Sequence, residues 1–131
     1  MRNKRQVLVI VALGTALLAG WGYSRQTEQP ATVMRVKLAH AQNVLDALAM
    51  SDFEKLSVDA HRLKLLSQEA AWNVIQTPEY QQHSSEFRHA TDELSAAAKN
   101  KSVDGAVLAY FGLTMKCVNC HKYVRQVQAR P

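Results

Sequence analysis

The sequence predicts an all-α protein, and three features of the chain support that prediction. Glycine and proline are scarce, at five and three of 131 residues, and both disfavour helix interiors. Beyond residue 30, apolar residues recur every three or four positions, which is the period of a helix that buries one face. Four such segments follow one another with short connections, which is typical of antiparallel neighbours. We therefore expect an antiparallel four-helix bundle with a single core.

The first two helices are predicted within residues 31–70. The first covers 31–50, and its apolar stripe consists of Met34, Leu38, Ala41, Leu45 and Leu48. Ser51 followed three residues later by Glu54 is a capping-box pattern, so we expect Ser51 to cap the second helix. The apolar face of the second helix is then Phe53, Leu56, Ala60, Leu63, Leu66 and Ala70.

The third and fourth helices are predicted from residue 77 onward. Thr77 is a helix cap, Pro78 suits the first helical position, and Glu79 is favourable near the positive end of the helix dipole. Asn100 is expected to end the third helix in the left-handed conformation, and the fourth helix begins near Ser102. On its predicted face the third helix carries Tyr80, Phe87, Ala90, Leu94 and Ala97, and the fourth carries Val107, Tyr110, Leu113, Cys117, His121 and Val124. Phe87 and Tyr110 are candidates for the core.

The first 26 residues have the layout of an export signal. Arg2, Lys4 and Arg5 precede an uncharged apolar run, residues 7–21. This run is shorter than the roughly 20 residues that a membrane-spanning helix needs, which favours a cleaved signal peptide over a retained inner-membrane anchor. In both cases we expect residues 27–131 to form one domain outside the cytoplasm, in the periplasm.

The net charge of +5 overstates how basic this domain is. Four of the 16 basic residues lie in or beside the signal, and from Glu28 onward 12 basic residues face 11 acidic ones. A domain charge near +1 does not favour nucleic-acid binding, which needs a basic surface. No set of residues suggests a catalytic acid, base or nucleophile, so we do not expect an enzyme.

The sequence from Cys117 to His121 is a C-x-x-C-H motif, which is typical of covalent haem attachment. Two thiols three residues apart on a helix can reach the two vinyl groups at one edge of a porphyrin. The histidine that follows can then supply the proximal nitrogen to the iron. The chain has only these two cysteines. The motif therefore predicts one haem c, bound through Cys117 and Cys120, with His121 as an iron ligand.

Other functions of the two cysteines are less consistent with the sequence. A redox dithiol of this spacing belongs near a βαβ pattern, and the sequence has no strand signal. A structural disulfide between the two is a further alternative. A zinc site would need two more ligands at matching spacing, which the sequence lacks.

Residues 33–125 resemble the cytochrome c-prime family, whose members are exported four-helix bundles with the haem motif on the last helix. The resemblance rests on the late position of the motif and on the basic residue four positions after its histidine, Arg125. Most other small c-type cytochromes carry the motif near the N-terminus. The chain is compact for this family, and the arginine-rich start of many gas-binding members is not clearly present.

The resemblance implies two alternatives for the distal side of the haem. In one branch a methionine of the first helix is the sixth iron ligand, and Met34 stands at the matching position. In the other branch the iron is five-coordinate, an apolar residue blocks the distal face, and Leu38 resembles that residue. We favour Met34 as the distal ligand, although a methionine on an apolar stripe often only fills the core. His40 is a rival ligand that lies off the stripe.

Four further residues are candidates for haem contact. Trp72 resembles a tryptophan that packs near the haem in the family, and otherwise it is a large core residue. Arg35 and Lys37 flank Met34 and could pair with the haem propionates. Arg125, one turn beyond the ligand, is expected beside His121. For each of these cations, a solvated surface position is the alternative.

The favoured prediction is thus a monohaem electron-transfer protein that exchanges electrons with a redox partner protein. A second prediction is a five-coordinate haem protein that binds nitric oxide or carbon monoxide. A third is a helical interaction module without haem. The resemblance also allows a homodimer, since family members often pair through their first two helices.

Overall fold

The computed structural model of this protein describes residues 29–130, so the predicted export signal lies outside the described residues. Within that range the chain forms four α-helices and no strand, which confirms the all-α prediction. The helices are α1, Pro30–Met50; α2, Phe53–Leu66; α3, Pro78–Lys99; and α4, Val103–Gln128. None of the four is sufficiently long and apolar to cross a membrane.

The helices pack in chain order, as expected for a bundle. Helix α1 packs along α2, α2 along α3, and α3 along α4, whereas α1 and α4 approach each other at fewer positions. The core between them includes the buried Leu56, Leu63, Phe87, Leu94 and Leu113. The side on which α1 and α4 face each other is therefore the most open part of the bundle.

The observed caps confirm two predicted helix starts and correct a third. The side chains of Thr77 and Ser102 accept hydrogen bonds from Tyr80 N and Gly105 N and so cap α3 and α4. The cap of α2 is Asp52, whose side chain accepts from Lys55 N at 3.0 Å. The prediction of Ser51 was wrong, because Ser51 ends α1 in the left-handed region with φ of 56°, and an N-cap needs an extended backbone.

Two predictions near helix ends were also wrong. Asn100 has φ of −80°, and the left-handed residue is Lys101, with φ of 51°. Helix α2 ends at Leu66, so Ala70 lies exposed in the following connection rather than on a helical face. In both cases the actual turn differs by one or a few residues from the pattern, which is the usual uncertainty of helix boundaries.

The buried face of α1 differs from the predicted stripe. Its buried residues are Val33, Lys37, Val44 and Ala47, whereas Leu38 and Leu45 are 58% and 55% exposed. The buried face of α1 is thus shifted by about one residue from the predicted stripe, and it includes Lys37. In α4, Val107 of the predicted face is likewise exposed, and the neighbouring Ala106 is buried instead.

A buried carboxylate joins α1 to α2. His40 Nδ1 lies 2.6 Å from Asp59 Oδ1, and Asn43 Nδ2 donates to the same oxygen at 3.3 Å. The Asp59 side chain is only 8% exposed. A second ion pair between the same helices, Lys55 with Asp46, lies in solvent.

We expect Asp59→Ala to lower the free energy of unfolding by about 1–3 kcal/mol, because it leaves His40 and Asn43 without their buried partner. Asp46→Ala is the matched control, since an exposed pair contributes about 0–1 kcal/mol. Urea unfolding followed by circular dichroism measures both. Equal losses for the two variants would contradict the importance of burial at Asp59.

Candidate functional site

A cleft between α1 and α4 is the candidate functional site. Its volume is about 510 Å³, within the range of roughly 300–1,000 Å³ that small-molecule and cofactor sites occupy. It lies on the side of the bundle where the two helices pack least closely. The lining residues are Met34, Arg35, Lys37, Leu38 and Ala41 from α1, and Cys117, Val118, His121 and Arg125 from α4.

Helix α4 supplies the residues of the C-x-x-C-H motif to this cleft. Cys117 and His121 are four residues apart, so they lie one above the other on the same helical face, and both line the cleft. Cys120 is buried and lies next to them on the side of the core. Both cysteines are free thiols. The motif therefore presents one thiol and the imidazole to the cleft, with the second thiol buried beside them.

The surroundings of His121 disfavour its protonated form. The residue lines the cleft but is exposed to solvent overall. Burial lowers the pKa of His121 below its ordinary value, and the positive charges of Lys37 and Arg125 lower it further. A neutral imidazole is the form that binds a metal.

Helix α1 supplies the opposite wall. Met34, Leu38 and Ala41 follow one another at helical spacing, and all three line the cleft. The two residues that the resemblance implies for the distal side, Met34 and Leu38, are thus both brought opposite Cys117 and His121. Tyr110 in α4 donates a hydrogen bond to the Ala41 carbonyl at 3.1 Å, which joins the two walls at that level.

His40, the rival distal ligand, belongs to a different site. It is not among the residues that line the cleft. Its Nδ1 faces Asp59 of α2 at 2.6 Å. Because His40 lies off the stripe that carries Met34 and Leu38, it belongs to the contact between α1 and α2 rather than to the cleft.

Arg35 of α1 and Arg125 of α4 both line the cleft. Together with Lys37 they give this region a concentration of positive charge. Such a region favours groups that carry negative charge, and it also favours a bound group that gains an electron.

The burial of Lys37 is the feature of the site that the sequence did not indicate, since a solvated surface position was the alternative to pairing with the haem propionates. Its side chain is 6% exposed, and Nζ lies 4.5 Å from the ring centroids of both Trp72 and Phe87. The ammonium thus lies over the rings of both Trp72 and Phe87, which pack against each other, and cation–π attraction there partly replaces water. Burial lowers the pKa of Lys37, and the adjacent Cys117 and Cys120 thiols oppose that shift.

Trp72 lies behind the cleft in the core. Its ring is 2% exposed, packs on Phe87 with a centroid separation of 5.0 Å, and donates from Nε1 to Ser84 Oγ at 3.0 Å. It is not one of the lining residues. The Lys37 ammonium lies over its ring at 4.5 Å, and Lys37 itself lines the cleft.

The same surroundings change the pKa of the Cys120 thiol. Burial raises its pKa, and the Lys37 cation acts in the opposite direction.

Among residues 29–130, no group of three or more His, Cys, Asp or Glu side chains is placed to hold a metal ion.

Comparison with known proteins identifies no relative: no protein-family model, no curated protein and no solved structure matches the chain.

We expect Lys37→Met to raise the free energy of unfolding of the haem-free polypeptide by about 1 kcal/mol or more at neutral pH. An apolar side chain of similar shape avoids the desolvation of a buried charge. The difference in the free energy of unfolding between Lys37→Met and the wild type should shrink as the pH rises toward 10.5, the ordinary lysine pKa. The folded wild type loses its Lys37 proton at lower pH than the unfolded chain, so its own stability rises in that window.

Urea unfolding at several pH values measures this difference. Lys122→Met is the control, because Lys122 is exposed and its replacement should change stability by less than about 0.5 kcal/mol. A destabilised Lys37→Met variant would show that the aromatic contacts outweigh the desolvation of the ammonium.

Proposed function

We propose that this chain is an exported, periplasmic, monohaem c-type cytochrome that transfers electrons. Cys117 and Cys120 would bind one haem c covalently, His121 would be the proximal iron ligand, and Met34 the distal ligand. The helices would form an antiparallel bundle, with the haem near the C-terminal helix. The observation that carries this proposal is the cleft, which brings Met34 of α1 opposite the C-x-x-C-H motif of α4.

The residues of the cleft fit a haem in chemistry and in size. The two thiols lie on the same helix as the imidazole, and the pKa of that imidazole is lowered, which suits an iron ligand. The volume of about 510 Å³ is appropriate for a cofactor. Leu38, Ala41 and Val118 supply the apolar wall that a porphyrin needs.

Bound haem would supply a one-electron ferric–ferrous couple, and an axial thioether raises its potential. The chain's own residues contribute position and electrostatics. Arg35, Lys37 and Arg125 surround the cleft with positive charge, which stabilises the reduced state relative to the oxidised state. No residue is required to act as a catalytic acid or base.

Met34 is the residue whose role divides the favoured function from its alternative. It lines the cleft and is partly buried, and its thioether is a suitable soft ligand. Leu38 lines the same cleft one turn later. That second placement supports the alternative, in which the iron is five-coordinate, an apolar side chain screens the distal face, and nitric oxide or carbon monoxide binds.

We expect the oxidised wild type to be low-spin, with the weak red absorption band that marks methionine bound to ferric haem. Met34→Ala should abolish that band, because alanine has no thioether to bind the iron. Optical spectra of the exported protein measure this, and Leu38→Ala is the matched control, which should retain the band. A high-spin wild type unchanged by Met34→Ala would instead favour the gas-binding alternative.

Covalent attachment itself has a direct measurement. We expect the exported protein to keep its haem through a denaturing gel, and the double variant Cys117→Ala/Cys120→Ala to lose it, because both thioether bonds are then absent. The single variants, each of which keeps one thiol, are the controls for folding and export. Wild-type protein exported without attached haem would contradict the proposal and favour a helical interaction module.

A further inference from the structure

The outward face of α4 carries apolar residues where a surface helix is normally polar. Leu108, Phe111, Met115 and Val118 are 72%, 64%, 42% and 42% exposed. Their spacings of three, four and three residues place them on a single stripe of the coiled-coil type. The buried residues of the same helix, Ala106, Ala109, Leu113, Cys120 and Tyr123, occupy other positions of the helical repeat. The stripe is therefore not part of the intramolecular core.

The stripe continues into one charged residue at each end. Asp104 precedes Leu108 by four residues, and Lys122 follows Val118 by four residues. Both side chains are exposed, and within residues 29–130 neither forms an ion pair. They are 18 positions apart on one helix, about 27 Å at 1.5 Å per residue. They therefore cannot pair with each other within one chain.

The stripe is complementary to a second copy of itself that runs in the opposite direction. From the N-terminal end it consists of one acidic residue, four apolar residues and one basic residue, and the spacings are the same on either side of its centre. Against an antiparallel copy, Phe111 meets Met115, Leu108 meets Val118, and Asp104 meets Lys122. This is the relation that a two-fold axis requires, in which each residue contacts its counterpart in both directions.

We propose that the protein forms a homodimer through antiparallel packing of α4 against α4 of a second copy, with Asp104 of each chain paired to Lys122 of the other. The apolar stripe forms the seam, and the two ion pairs set its register and orientation. A partner of different sequence would not account for the symmetry of the stripe about its own centre.

Gly112 is a further feature of this face. A Cβ added there would meet nothing within 4 Å, so packing inside the chain does not require glycine. In the middle of an exposed helix, glycine is less stable than alanine by about 1 kcal/mol. Next to Phe111, the absence of a side chain allows another helix to approach closely.

The seam would border the cleft, because Val118 belongs both to the stripe and to the cleft lining. Haem is not needed for the contact between the helices. Dimer formation and the proposed electron-transfer function can therefore fail separately.

Sedimentation of the exported protein over a range of concentrations tests the interface. We expect a dimer for the wild type and at least a tenfold larger dissociation constant for Phe111→Glu, which places a charge at the centre of the seam. Val58→Glu is the matched control: Val58 is 52% exposed on α2, so that variant should remain dimeric. A monomeric wild type, or a dimer lost only in Val58→Glu, would overturn the proposal.

A charge exchange tests the orientation of the two helices. Asp104→Lys alone and Lys122→Asp alone should each weaken the dimer several-fold at low salt, since each creates two like-charge contacts across the axis. The double variant Asp104→Lys/Lys122→Asp should regain the wild-type dissociation constant. Additive weakening in the double variant would exclude the antiparallel pairing, and circular dichroism confirms that each variant is folded.

Discussion

The buried ammonium of Lys37 is the constraint on which the arrangement of this protein depends. It lies over the rings of Trp72 and Phe87, on the same buried face of α1 as Val33, Val44 and Ala47. With this face in the core, neighbouring residues such as Leu38 turn outward. Met34, Leu38 and Ala41 line the cleft toward α4, and Met34 also packs against the edge of the core.

The cleft exists because α1 and α4 are joined at only a few levels. The hydrogen bond from Tyr110 to the Ala41 carbonyl is one such level, and the approach of Lys37 to the motif thiols is another. A thiol, an imidazole and a thioether, from Cys117, His121 and Met34, line this one cleft. Burial lowers the pKa of His121, and the positive charges of Lys37 and Arg125 lower it further, so the electrostatics and the shape support the same proposed function.

Helix α4 has three faces, each with different surroundings. One side packs in the core through Ala106, Ala109 and Leu113. A second side presents Cys117 and His121 to the cleft. The third carries the exposed stripe that begins at Leu108. With apolar residues on all three sides, α4 does not follow a single simple stripe.

The sequence by itself determined the number and type of the helices, two of the caps, and the placement of the C-x-x-C-H motif on the last helix. These features depend on local periodicity and on short-range capping, which neighbouring residues carry in full. The pairing of Met34 with His121 across one cleft was also an expectation from the sequence, through a family resemblance, and the structure brings both residues to the same cleft.

Only the tertiary structure decided which face of α1 is buried. Periodicity counts apolar residues, so it assigned Leu38 and Leu45 to the core and passed over Lys37. A lysine is expected in water unless other parts of the chain cover its ammonium. Here the covering rings are those of Trp72 and Phe87, which are 35 and 50 residues away in the sequence. Burial of a charge is a property of the folded surroundings rather than of the residue.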